Sequence, residues 1–179
     1  MTGPARIAAV LDRINEQTGR WISWTVLALV IMQFIIVVLR YIFREGSIVL
    51  QESLLYLNGL MFLGACGYTL LHNAHVKVDL IYRGANDRYK ALVNFWGTIL
   101  LLTPTLILIW WVGLPYAIAS WQNLEGSAET TGIQAVFILK SFILLFAAGL
   151  TLQAISLLIH SWLRLKGKET GPEEEGEMV

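Results

Sequence analysis

A single cysteine, Cys66, leaves the chain without any internal disulfide. Charge is scarce too: Asp, Glu, Lys and Arg make up 15% of the residues against 56% hydrophobic, a balance foreign to ordinary soluble domains. The 13 basic and 13 acidic residues cancel, so the basic excess that binds nucleic acid is missing, as is a polybasic patch for an anionic surface. No glycine-rich phosphate loop, nucleophile elbow or catalytic carboxylate pair is present, and nothing marks an enzyme.

What the chain does hold is long uncharged runs. Residues 21–39, 53–76, 91–124 and 141–163 contain no formal charge, and mean hydropathy over the whole chain is +0.61. A helix crosses the hydrocarbon with about 20 apolar residues, and only a helix or closed barrel satisfies its backbone there. These runs are too continuous for barrel strands. They predict an all-α membrane protein with spans at about 21–40, 53–72, 92–116 and 138–162. The third run exceeds a perpendicular span, so tilt is expected, with a kink at Pro104 and Pro115 near the exit. The first run follows a preamble containing Asp12 and Glu16 and lacks an Ala-x-Ala-like exit. It is expected to stay in the mature protein.

The basic residues orient the spans, because Lys and Arg near span ends stay on the cytoplasmic side. Arg6, Arg13, Arg20, Lys77, Arg83, Arg88, Lys90, Arg164, Lys166 and Lys168 fall on one side, and Arg40, Arg44 and Lys140 on the other. Both termini and the 73–90 loop are therefore expected in the cytoplasm, with 41–52 and 117–137 opposite. Residues 1–20 read as an amphipathic interfacial helix, since Ile7, Val10, Leu11 and Ile14 recur at helical spacing beside arginines; a short cytoplasmic helix is the alternative. Residues 21–163 form the transmembrane domain. Residues 164–179, rich in glutamate and glycine, read as a disordered acidic tail.

A charge at a helix centre costs about 2.5–3.5 kcal/mol on insertion scales, so an ion-moving chain usually shows a mid-span carboxylate. None occurs here, and no discontinuous helix is legible. The embedded polar groups are Gln33, Asn58, Asn94, Thr103 and Gln153, which are expected to fix helix packing, while Gly59, Gly64, Ala65, Gly67, Ala147, Ala148 and Gly149 permit close approach. Glu52 and Lys140, at similar depth, are candidates for an ion pair; separate snorkelling is the other reading. His72, His75 and His160 share one end of the spans but lack a companion metal-ligand motif, so neither a cofactor nor a metal is expected.

From the end of the first span onward the landmarks resemble the small, Q-type (DctQ-like) membrane subunit of tripartite ATP-independent periplasmic (TRAP) transporters. Arg40, Tyr41 and Phe43 close the first span; Gln51, Glu52 and Tyr56 open the second; Tyr68, Thr69 and Leu70 precede His75, Val76, Lys77, Val78, Asp79 and Tyr82. Ser120, Trp121, Glu125 and Ser127 follow, then Lys140 and Gln153. Lys77 departs from the family's frequent arginine, and Gly132, Ile133 and Gln134 from its common Gly-Leu-Pro. The resemblance implies a non-catalytic inner-membrane subunit beside a large M-type subunit, served by a periplasmic substrate-binding protein and driven by sodium, with organic acids, often carboxylates, as cargo. It also marks Arg40, Tyr41, Glu52, Tyr56, His75, Asp79, Trp121, Glu125, Ser127, Lys140 and Gln153 as interface or structural polar residues, with His75 and Asp79 holding the turn between spans two and three. A membrane haem or metal redox subunit and an autonomous homo-oligomeric channel are the rival readings.

Overall fold

The computed structural model of the chain describes residues 3–72 and 86–167. Among these, all regular structure is helical: α1 (Gly3–Tyr41), α2 (Ile48–Gly64), α3 (Cys66–Leu71), α4 (Asp87–Gly97), a π-helical turn (Thr98–Leu102), α5 (Thr103–Gln122) and α6 (Val136–Leu165). They combine into four rods long and apolar enough to cross a membrane: Gly3–Tyr41, Ile48–Leu71, Arg88–Gln122 and Val136–Leu165. The four spans expected from the charge-free runs are all there. The proposed tail from 168 onward, and His75 and Asp79 with the rest of 73–85, lie outside the described residues.

The first rod does not break between preamble and span. At 1.5 Å per residue, α1 is about 58 Å long, well beyond the roughly 30 Å of hydrocarbon. Ala8, Asn15, Gly19 and Ile22 are buried along one side of it, whereas Ile7, Val10 and Ile14 are turned outward. The chain leaves α1 through Arg44, in the left-handed region at φ 58°, with the Glu45 amide bonding back to the Leu39 carbonyl at 3.0 Å. Ser47 caps α2 by accepting from the Leu50 amide.

Two spans are less regular than the sequence suggests. The second is interrupted at Ala65, yet Ala65 keeps right-handed backbone angles and its amide reaches the Met61 carbonyl at 3.2 Å, so the join is not an unwound, ligand-ready break. In the third, the π turn sits just ahead of Pro104. Proline has no N–H and crowds the carbonyl four residues back; widening the turn relieves that conflict. Thr103 secures the widened turn by donating from both its amide and its Oγ1 to the Thr98 carbonyl, the latter at 2.9 Å.

α6 is the hub. It packs against α1, α2, α3, α4 and α5. Leu106, Leu150 and Ala154 form the apolar centre, flanked by Cys66, Leu70, Leu102 and Phe146. Small residues set the spacing as expected: a Cβ on Gly67 would lie 2.7 Å from Asn15 Oδ1 and 2.8 Å from the Gly149 carbonyl oxygen. Outward faces are apolar instead of polar, with Trp21, Phe34, Leu101, Leu108 and Trp111 all largely exposed, a surface that suits lipid.

Candidate functional site

Polar side chains gather in two knots at opposite ends of the bundle. At the end where α1 and α6 place their termini, Asp12, Asn15 and Glu16 project from α1. Asp12 Oδ1 accepts from Ser156 Oγ at 2.5 Å and from Gln153 Nε2 at 3.3 Å, and Asp12 Oδ2 lies 3.0 Å from His160 Nε2. Asn15 Nδ2 donates to Gln153 Oε1 at 2.8 Å and to the Gly149 carbonyl at 3.3 Å. Asn15, Gln153 and Ser156 are buried, so each of these bonds replaces one with water. Burial alone would raise the Asp12 pKa, but the His160, Ser156 and Gln153 hydrogen bonds and the His160 charge outweigh it and hold the carboxyl below its ordinary value.

Glu16 extends the knot to the second span. Its carboxylate meets His72 Nε2 at 2.6 Å and Arg20 Nε at 2.8 Å, and these hydrogen bonds, His72 first, hold it below the ordinary glutamate range. The Tyr68 and His72 rings lie 4.4 Å apart beneath it, and Gly19 leaves the room that the Tyr68 ring fills. The Nε2 atoms of His72 and His160 therefore face separate carboxylates on α1. Among the described residues, no group of three or more His, Cys, Asp or Glu is placed to hold a metal.

The second knot occupies the other end, where the connection after α5 folds over the starts of α2 and α6. The Glu52 carboxylate accepts from Ser127 Oγ and from the Ile133 amide. Glu125 accepts from Ser120 Oγ at 2.7 Å and from Lys140 Nζ, and those two bonds, Lys140 first, lower its pKa. Lys140 Nζ also rests 4.0 Å above the Tyr116 ring. The anticipated pairing of Glu52 with Lys140 is thus replaced. The 123–135 connection lies between them and supplies each with a nearer partner, Ser127 and Ile133 for the acid and Glu125 for the base.

Of the remaining marked residues, Trp121 donates from Nε1 to Ser141 Oγ at 2.8 Å, its ring edge-on to Phe137. Arg40 and Tyr41 are exposed at the end of α1, and the Tyr56 hydroxyl is buried without a hydrogen-bond partner. Sequence reading missed Asp12, Asn15 and Ser156. Their signal was the alternating four- and three-residue spacing of 8, 12 and 15 facing 149, 153, 156 and 160, two seams of small and polar residues that meet antiparallel.

The knots join all four spans through side chains with partners inside the chain. A family model described as tripartite ATP-independent periplasmic transporters, DctQ component, matches residues 29–164. The chain belongs to the DctQ family. No curated protein and no solved structure matches it. As a DctQ component it is the small membrane subunit of a TRAP transporter, a multi-pass inner-membrane protein that associates with a large membrane subunit and a substrate-binding protein. The family match takes in the outer knot whole. It covers only one side of the inner knot, because Asp12, Asn15 and Glu16 precede residue 29.

Proposed function

We propose that this DctQ subunit is the static, non-catalytic scaffold against which the transport domain of the large subunit moves, in a sodium-driven transporter of organic acids, carboxylates foremost. The observation that carries this reading is the fate of the carboxylates. Asp12, Glu16, Glu52 and Glu125 all lie outside the four charge-free runs and all accept hydrogen bonds from their own chain. An ion-coupling subunit keeps unsatisfied oxygen ligands or broken helices near mid-membrane; the join at Ala65 and the π turn at Thr98–Leu102 keep their backbone bonds within the helix.

The positive-inside count puts both termini in the cytoplasm, and the antiparallel packing of α1 on α6, which brings Asp12 to His160, accords with their sharing one side. The outer knot, facing the periplasm in this orientation, presents the 41–47 and 123–135 connections toward a docked substrate-binding protein. Reconstitution tests the whole reading. Proteoliposomes holding this chain alone transport nothing, and those holding it with the large subunit take up substrate from the binding protein in a sodium-dependent way. Flux through this chain alone would support the channel reading and overturn the scaffold.

A further inference from the structure

Embedded amides were expected to fix the packing of these helices, and Gln153 does so. Gln33 and Asn58 do not. Both are exposed, and among the described residues neither side chain makes a hydrogen bond, nor does that of Gln51. All three line one groove of about 610 Å³ between α1 and α2, otherwise walled by Leu29, Val30, Leu54 and Leu55. Along the helix axes Gln33 lies about 12 Å from the Tyr41 end of α1, and Asn58 about 15 Å from the Ile48 end of α2. Both amides therefore reach the middle of a hydrocarbon layer roughly 30 Å thick.

Acyl chains cover the outward face of α5 well, because Leu101, Leu108 and Trp111 ask for nothing but apolar contact. They cannot cover this groove, since they offer no donor or acceptor to an amide. We infer that the α1–α2 groove is the seat of a transmembrane helix of the large subunit, one that presents hydrogen-bonding groups to Gln33 and Asn58 at mid-membrane depth. The inference rests on the scaffold reading and names the face through which the scaffold holds its partner. Side-chain amides join helices in lipid because their alternative is an unsatisfied polar group in hydrocarbon, and the flanking leucines and valine supply the contact area.

Cysteine photo-crosslinking in membranes that coexpress both subunits tests it. In a Cys66→Ala background, Val30→Cys and Leu55→Cys carrying a maleimide benzophenone are expected to crosslink to the large subunit, and Leu108→Cys on the α5 face is not. The double change Gln33→Leu with Asn58→Leu, at exposed positions the fold does not use, is expected to lower the large subunit recovered in mild detergent by about tenfold. Three results would overturn the seat while leaving the scaffold standing: crosslinks from the groove to a second copy of this chain, groove probes that capture only lipid, or large-subunit crosslinks from Leu108→Cys alone. If the unaltered chain brings down no large subunit at all, the parent reading falls, and this one with it.

Discussion

Asp12 and His160 stand 148 positions apart in the chain and 3.0 Å apart in space, tying the first turns of α1 to the last turns of α6. With Ser156 and Gln153 on the same carboxylate, the contact converts what would be a free helical extension into part of the bundle. Asp12→Ala takes the acceptor from three donors at once. Hydrogen bonds to a charged group contribute about 1.5–3 kcal/mol, so a loss of about 2 kcal/mol in unfolding free energy is expected. Denaturation in detergent measures it, and protease cutting ahead of Trp21 should accelerate in parallel. A variant as stable as the parent would show that the knot contributes nothing to the fold.

Acid should loosen the same end. A carboxyl whose pKa is depressed on folding adds stability that is fully present above its unfolded value, 3.8 for Asp12, and that fades as pH falls through the lower folded value. Glu16 and Glu125, also depressed from 4.5, act in the same direction. Thermal stability should therefore be little changed by these groups between pH 7 and about pH 5 and decline below about pH 4. Asp12→Asn should be less stable at neutral pH and flatter in acid. Parallel profiles for the variant and the parent would rule Asp12 out as a contributor.

Much of this architecture was open to sequence reading, for a simple physical reason. Hydrocarbon expels charge, so the spans wrote themselves into the chain as runs without it, and Gly67 and Gly149 announced close packing by having no side chain. The knots were hidden because their partners meet only after folding: Glu52 and the Ile133 amide are 81 positions apart, and a backbone amide carries no sequence signature at all. The preamble carries two stripes: Ile7, Val10 and Ile14 of the louder apolar one face outward, the side an interfacial helix turns to lipid, while the quieter seam of Ala8, Asn15 and Gly19 is buried against its neighbours.

Lys140 provides a test of who pairs with whom. It contacts Glu125 and stands over Tyr116, while Glu52 is held by Ser127 and the Ile133 amide. Residues in contact couple energetically, and separated ones with no shared partner add. In double-mutant cycles on thermal stability, Glu125→Gln with Lys140→Met should show coupling, each change mattering less once the other is made. Glu52→Gln with Lys140→Met should be additive. The reverse pattern would restore the pairing that the sequence alone suggested.

The crossing of Gly67 and Gly149 predicts an asymmetry between two changes that look alike on paper. A methyl group at Gly67 would fall 2.8 Å from the Gly149 carbonyl oxygen and 3.0 Å from its carbon, both backbone atoms, and 2.7 Å from Oδ1 of Asn15, a side chain whose Nδ2 is engaged in the inner knot. Neither neighbour can step aside without moving α6 or opening the Asn15–Gln153 bond. A methyl at Gly149 meets nothing nearer than the Gly67 backbone at 3.8 Å, an ordinary contact. Overpacking a tight site commonly costs about 1–3 kcal/mol, whereas Gly→Ala within a helix gains roughly 0.5–1 kcal/mol in backbone terms. Gly67→Ala should therefore destabilise the subunit by about 1–2 kcal/mol, and Gly149→Ala should leave stability unchanged or raise it. Denaturation of the two variants side by side decides it; equal effects would mean that helix propensity, and not the approach of the two backbones, governs this crossing.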